Sequence, residues 1–131
     1  MIPDRIIEAG TLRSDGTCTE VEVRIPWYRA VPGSCIDEAS LVVDGVRAEP
    51  ESVRWTMNGR TFALGELRER TDDWWFPLDS AVLSGDIPLD HPEDEHEVTV
   101  ELKLYIPYIV TDHGVLRIEE HDTKTMKAAQ R

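Results

Sequence analysis

The stretch Glu97-Val-Thr-Val-Glu-Leu-Lys-Leu-Tyr-Ile106 alternates between apolar and more polar side chains along its whole length. Every even position holds valine, leucine or isoleucine, and these side chains share one face because successive strand residues point to opposite faces. The stretch therefore predicts a β-strand with one face in a core and the other toward solvent. Thr19 to Ile25 repeats the pattern and predicts a second strand of the same kind.

Turn signals separate the remaining strand candidates. Asp44-Gly45 and Asn58-Gly59 each divide two short apolar runs, and both dipeptides tolerate the positive φ angles of two-residue hairpins. With weaker signals at Ser84-Gly85 and His113-Gly114, they divide the chain into about eight to ten short strands. This spacing favours a sandwich or barrel over alternating strands and helices. We expect an all-β fold, an antiparallel β-sandwich.

One domain is predicted, because 131 residues can bury a sizeable core without disulfides. We expect the sandwich to cover residues 1–120, with a single helical turn within Leu64–Arg70. Residues 121–131 lack an apolar stripe and are predicted to form a polar C-terminal tail, frayed or docked on a partner.

The charge balance excludes several kinds of partner. With 26 acidic and 14 basic residues the formal net charge is −12, which repels phosphate backbones and anionic lipids. The segment Met1–Glu8 has no basic region followed by an apolar one, and no apolar run approaches the roughly 20 residues of a membrane span. We therefore expect a cytoplasmic protein that binds neither nucleic acid nor membranes, with Cys18 and Cys35 as free thiols.

Two strong strands end in the same kind of motif, Arg24-Ile-Pro-Trp-Tyr-Arg29 and Tyr105-Ile-Pro-Tyr-Ile109. Proline cannot donate to a sheet ladder, so each motif marks a strand end, an edge or a bulge. This is either ordinary strand termination or a sign that both loops present aromatics at one end of the sandwich. Aromatic side chains and arginine are frequent at the energetic centres of interfaces. We predict a rim for a substrate or a partner made of Trp27, Tyr28, Arg29, Trp75, Tyr105 and Tyr108.

The neighbouring residues Trp74 and Trp75 must point to opposite sides if they lie in a strand. One of the two is expected in the core, together with Trp55 and Phe62. The other must be exposed or covered by a loop or partner.

No catalytic residue and no metal site is predicted in this chain. His91 and His96 flank Pro-Glu-Asp-Glu, and imidazole and carboxylate groups bind zinc or manganese. Their spacing within a proline-containing loop matches no familiar ligand set, which favours a solvated acidic loop. The sequence also has neither a phosphate-binding glycine loop nor a Gly-x-Ser-x-Gly elbow.

Several segments together resemble the β subunit of bacterial C-glycoside deglycosidases. The resemblance runs from about Ile6 to Ile109. It rests on Arg24-Ile-Pro-Trp-Tyr-Arg29, Ser34-Cys-Ile-Asp37, Leu41-Val-Val-Asp-Gly45, Trp74-Trp-Phe-Pro-Leu-Asp79, His96-Glu-Val and Tyr105-Ile-Pro-Tyr-Ile109.

The resemblance implies a carbon–carbon lyase built from two chains. The larger α subunit is expected to be a TIM barrel holding a divalent metal, Mn²⁺, and the β subunit a sandwich that supports it. The implied substrate is a C-glucoside of a phenolic compound that is already oxidised to a ketone at C3 of the sugar. Loss of the C2 proton then lets the aryl carbon leave in a β-elimination. No catalytic residue of the family maps onto this chain.

Two other functions stay open at this point. Exposed aromatics also suit a free-standing carbohydrate-binding module, because sugar faces stack on aromatic rings. A self-contained metal-dependent enzyme would need three or more converging ligands from the four histidines and the acidic residues.

Overall fold

The computed structural model describes residues 6–131. Residues 1–5 lie outside the described residues. They include the start of the predicted domain and most of the segment Met1–Glu8, in which no export signal was predicted. The described part contains β1 (Arg13–Ser14), β2 (Thr19–Val23), β3 (Val31–Pro32), β4 (Ile36–Val43), β5 (Val46–Arg47), β6 (Arg54–Met57), β7 (Arg60–Ala63), α1 (Leu64–Leu67), β8 (Trp74–Trp75), β9 (Ala81–Gly85), β10 (Glu95–Thr111), β11 (Gly114–Lys127) and β12 (Ala129–Gln130), with 3-10 turns at Gly33–Cys35 and Pro50–Ser52.

The described strands form two main sheets. The first has the order β12-β1-β2-β9-β6-β7, the second has the order β11-β10-β4-β5, and β3 and β8 form a separate small pair. Apart from the parallel pair β1–β12, neighbouring strands are antiparallel. The all-β, antiparallel prediction is confirmed. The described residues contain more strands than expected because β3 and β12 are too short to show alternation.

The core lies between the inward faces that the alternation predicted. On β10 the even positions from Val98 to Ile106 are buried, and Leu41 and Val43 beside them are buried as well. Val21 and Val23 of β2 supply buried side chains from the other sheet. Burial of such side chains is the main favourable term in folding.

Both predicted hairpin turns have the backbone that their sequence requires. The φ angles are 50° and 81° at Asp44 and Gly45, and 55° and 78° at Asn58 and Gly59. Positive φ at both central residues defines the type I′ turn, whose twist matches that of the flanking strands.

The prediction of a separate tail over residues 121–131 is wrong. His121 pairs with Glu101, and the β10–β11 ladder continues to Lys127. Asp122 lies on the inward side of this polar strand, where its carboxylate accepts a hydrogen bond from the Ile7 N–H at 2.8 Å. The segment can form a strand without an apolar stripe because cross-strand pairing and this buried carboxylate hold it in place.

A close contact joins β9 to the segment after β5. A Cβ on Gly85 would lie 2.5 Å from the Cβ of Ala48, which is itself buried. Gly85→Ala should therefore lower the free energy of unfolding by about 1–3 kcal/mol, measured by denaturant titration. Adding Ala48→Gly removes the opposing methyl group and should recover much of the loss. An equal loss in the single and double variants would contradict a steric origin.

Among the described residues, no helix has the length and apolar character needed to cross a membrane.

Candidate functional site

The two Ile-Pro-aromatic motifs meet at one end of the sandwich. The Trp27 Nε1–H donates a hydrogen bond to the Tyr108 hydroxyl at 2.6 Å. The β10–β11 register shifts between Ile106 and Val110, so Pro107 lies in a bulge, as its missing N–H requires. Of the two interpretations of these motifs, the structure supports the one in which both loops share one end.

Four of the predicted rim residues form a contact cluster, which we call the aromatic cluster: Trp27, Tyr28, Arg29 and Tyr108. The rings of Trp27 and Tyr28 lie 5.1 Å apart at a tilt of 34°. The Arg29 guanidinium carbon lies 4.2 Å from the centre of the Tyr108 ring, within the range of a cation–π interaction. The structure brings these residues together, and their role as a rim stays a prediction.

Trp75 does not belong to the rim, and that part of the prediction is wrong. Its side chain is fully buried and meets Trp55 edge-on, with ring centres 4.8 Å apart. Its Nε1–H donates to the Asp79 carbonyl at 3.1 Å. Trp74 is the outward member of the pair, with 39% of its surface exposed. The β3–β8 pairing decides between the two, because it sets which side of the short strand faces the core.

Tyr105 lies on the outer face of the four-stranded sheet rather than in the aromatic cluster. The Arg117 guanidinium carbon is 5.9 Å from its ring centre. Arg117 is itself held by Asp37 at 2.8 Å and by Glu119 at 2.7 Å. Tyr105 therefore lies beside an ion-pair network on this face, and its role as a rim residue stays a prediction.

Several exposed apolar side chains lie at the same end of the sandwich as the aromatic cluster. Tyr28 is 71% exposed, Leu78 is 84% exposed and Val110 is 75% exposed. The loop after β8 reaches this end through the β3–β8 pair and through a hydrogen bond from Arg24 to the Leu78 carbonyl at 3.2 Å. We define the aromatic end as the aromatic cluster together with Trp74, Phe76, Leu78, Val110 and Val115.

Two of the segments that form the aromatic end, those that hold the aromatic cluster, are free of acidic residues. Residues 23–36 and 102–111 contain no aspartate or glutamate, although 26 of the 131 residues are acidic. This absence is the signal that would have drawn attention to Val110, which the sequence analysis missed. Phe76 and Leu78 were missed because each looks like an ordinary core residue until its exposure is known. A large apolar surface on an otherwise acidic protein marks an interaction site.

His96 is part of a structural link at the opposite end of β10. Its Nδ1 is 2.5 Å from Asp44 Oδ2, its Nε2 is 2.7 Å from the His91 carbonyl, and the Glu97 N–H donates to Asp44 at 2.8 Å. The ring thus ties the acidic loop to the Asp44-Gly45 turn. Within residues 6–131 no three His, Cys, Asp or Glu side chains form a group that could hold a metal ion.

This link predicts a pH dependence of stability. Burial by itself would lower the pKa of His96, but the hydrogen bonds to Asp44 and to the His91 carbonyl outweigh it and raise the pKa above its ordinary value of about 6.5. The stabilisation from protonated His96 is complete below about pH 6.5 and is lost as the pH rises through the raised value. The pKa of Asp44 is lowered by His96, so its contribution is present above about pH 3.9 and is lost as the pH falls through the lowered value.

Thermal unfolding at about pH 5.5 and about pH 8.5 measures the effect. Asp44→Asn keeps a residue that tolerates positive φ and removes the charge, so this variant should lose less stability than the wild type between the two pH values. Asp90→Asn makes the same charge change at an exposed position and should behave like the wild type. Identical pH dependence in the wild type and Asp44→Asn would show that the pair contributes nothing.

Within residues 6–131, two clefts on the outer faces of the sheets are lined without aromatic side chains. One, of about 420 Å³, is lined mainly by charged residues, among them Glu38, Arg47 and Lys103. Another, of about 370 Å³, includes Arg54 and Arg131 in its lining. Neither offers a ring on which a sugar would stack, so the exposed aromatics and these clefts occupy different parts of the surface.

The two cysteines lie unpaired, as the sequence predicted. Burial raises the pKa of the Cys18 thiol and also that of the Cys35 thiol. A raised pKa keeps a thiol protonated near neutral pH, and the thiolate is the reactive form. Neither cysteine has the environment of a nucleophile.

Comparison with known proteins gives one consistent family. The sequence profile of the C-glycoside deglycosidase beta subunit family matches residues 5–108. The chain is 67% identical over 130 residues to a C-glycoside deglycosidase beta subunit of Arthrobacter globiformis, with 99% of each chain covered. It is 62% identical over 129 residues to a protein of the same name from Microbacterium trichothecenolyticum, with 98% of each covered.

A more distant relative carries a more specific name. The chain is 40% identical over 128 residues to a 3'-dehydrocarminate deglycosidase beta subunit of a Microbacterium species, with 96% of this chain and 95% of that protein covered. The matches extend over almost the full length of both chains, the β10–β11 hairpin included. On the strength of the profile match and these identities, the chain belongs to the C-glycoside deglycosidase beta subunit family.

Proposed function

We propose that this chain is the small, non-catalytic subunit of a two-chain carbon–carbon lyase. In this proposal the partner is a TIM-barrel α subunit that holds a divalent metal, Mn²⁺, and cleaves the sugar–aryl bond of 3-oxo C-glucosides by β-elimination in the cytoplasm. The metal would stabilise the negative charge that develops when the C2 proton is removed. This chain would attach to the barrel through the aromatic end.

One observation carries the proposal beyond the family name. The aromatic end gathers exposed apolar side chains, and its aromatic cluster lies in two segments without acidic residues, 23–36 and 102–111, although the chain as a whole is rich in charge. Soluble monomers rarely leave such a surface uncovered, and Trp, Tyr and Arg are the residues that contribute most to binding at interfaces. A protein named as a subunit needs an assembly surface, and this end has the composition of one.

The chemistry of the side chains at the aromatic end supports a catalytic partner and a non-catalytic chain. Proton abstraction needs a base within reach of the C2–H and a group that stabilises the enolate. In the aromatic cluster the polar side-chain groups are the Trp27 indole, the Tyr28 and Tyr108 hydroxyls and the Arg29 guanidinium, and none of them is the carboxylate or imidazole that most often serves as a base. We infer that this end binds the partner subunit and helps to shape its active site, and that the catalytic base belongs to the partner.

The test is to express this chain and the α subunit separately and together, and to assay release of the aglycone from a 3-oxo C-glucoside. The proposal predicts turnover only when both chains are present, and co-elution of the two chains on size-exclusion chromatography. Full turnover by either chain alone would overturn the non-catalytic role.

A free-standing carbohydrate-binding module makes a different prediction. Sugars titrated into the isolated chain would then quench tryptophan fluorescence in a saturable way without a partner. Under our proposal the isolated chain shows no saturable change.

A further inference from the structure

Arg29 brings positive charge into a segment, residues 23–36, that contains no acidic residue. Its guanidinium carbon lies over the Tyr108 ring at 4.2 Å, and within residues 6–131 no carboxylate pairs with it. By contrast, Arg13 and Arg117 each form ion pairs with carboxylates of the chain. The ring covers one face of the Arg29 guanidinium, which leaves its N–H groups for an acceptor outside the chain.

The Tyr108 hydroxyl is a second donor at the same place. It accepts the hydrogen bond from Trp27 Nε1–H at 2.6 Å, so its own proton remains to be donated. No acceptor for that proton is present in the described part of the chain. Trp27 also orients the hydroxyl, because the indole nitrogen can only donate.

We propose that Arg29 and the Tyr108 hydroxyl together bind a carboxylate, an aspartate or glutamate side chain of the partner subunit, within the aromatic end. This inference rests on the proposed function, since it needs the partner to dock at that end. A planar guanidinium forms paired, charge-assisted hydrogen bonds with a carboxylate, and a neighbouring hydroxyl donor adds a third.

The surroundings favour an acidic side chain of a protein over a freely diffusing anion. Tyr28 precedes Arg29, Val110 follows Tyr108 by two residues, and both are exposed apolar groups that a docked protein surface would cover. When a docked partner excludes water from the surrounding apolar surface, the interaction between Arg29 and a partner carboxylate becomes stronger. Residues 23–36 hold no acid, and no carboxylate of residues 6–131 pairs with Arg29, so an acidic side chain of the partner would supply the complementary charge.

The first experiment measures the dissociation constant of the complex between this chain and the purified α subunit. Arg29→Gln should weaken assembly about tenfold or more, because it removes a charge-assisted pair. Tyr108→Phe keeps the ring and removes the hydroxyl, and should weaken assembly about threefold to tenfold. Arg47→Gln is the matched control, an exposed arginine beside the Asp44-Gly45 turn at the opposite end, and should stay within about twofold of wild type.

A second experiment identifies the carboxylate directly. In the Arg29→Lys variant a carbodiimide should join the introduced amine to the activated partner carboxylate as an amide, and mass spectrometry of the assembled complex should recover that cross-link. The Arg47→Lys variant, treated identically, should give no cross-link to the partner at position 47.

The outcomes separate this inference from the proposed function. If Arg29→Gln assembles as well as Arg47→Gln while Leu78→Asp prevents assembly, the carboxylate site is wrong and the docking surface stands. If Arg29→Gln assembles normally but raises KM for the C-glucoside, Arg29 contacts the substrate and the inference is overturned. If Leu78→Asp also assembles normally, both the docking surface and the carboxylate site are wrong.

Discussion

Trp75→Ala should lower the free energy of unfolding by about 3–5 kcal/mol, the usual loss for removing a fully buried tryptophan. The substitution empties the space beside Trp55, removes an edge-on aromatic contact at 4.8 Å and leaves the Asp79 carbonyl without its donor. Denaturant unfolding followed by far-ultraviolet circular dichroism measures the change without depending on tryptophan fluorescence. If Trp75→Ala does not fold, Trp75→Phe, which retains a ring, should fold with an intermediate loss.

The adjacent residue is the matched control. Trp74→Ala should cost less than about 1 kcal/mol of stability, because its side chain is directed outward. The same variant should weaken assembly with the partner, since Trp74 belongs to the aromatic end. A loss of stability in Trp74→Ala equal to that in Trp75→Ala would contradict the assignment of inward and outward sides.

The double substitution of Leu78 by aspartate and Tyr28 by alanine should weaken assembly with the α subunit about 100-fold or more. Both side chains are mostly exposed in this chain, so the isolated variant should keep its stability to within about 0.5 kcal/mol. The aspartate places a charge in a surface that the partner would desolvate, and the alanine removes a large contact. Titration calorimetry with the purified partner gives the dissociation constant.

Val46→Asp is the control for this experiment. Val46 is another exposed apolar residue, 51% accessible, and it pairs with Val43 beside the Asp44-Gly45 turn, at the end of the sandwich away from the aromatic end. This variant should bind the partner as the wild type does. Wild-type affinity in the double variant, or an equal loss in Val46→Asp, would remove the aromatic end as the docking surface. Trp27 is a poorer probe, because its hydrogen bond to Tyr108 makes its replacement disturb the chain itself.

Alternation and turn chemistry predicted the class of fold because both depend on neighbouring residues. The side-chain direction of Val98 relative to Thr99 follows from extended backbone alone, and the structure buries the first while the second faces outward. The Asp44-Gly45 and Asn58-Gly59 turns follow from the low cost of positive φ in those residue types. The repeated Ile-Pro-aromatic motif pointed correctly to strand interruptions for the same local reason.

Contacts between distant residues decided the rest of the candidate site. Trp74 and Trp75 have the same chemistry and adjacent positions, so only pairing with β3 determines which is buried. The polar segment from His121 has no apolar period, and it becomes a strand because β10 supplies its hydrogen-bond partners.

By itself, then, the sequence determined the strand faces, the tight turns, the acidic surface and the family resemblance, all of which are written in short stretches of residues. Only the tertiary structure placed Trp27 against Tyr108 across 81 positions of sequence and left Leu78 exposed. The physical reason is that burial and hydrogen bonding at this end depend on how the two sheets close, and no local period of the sequence encodes that closure.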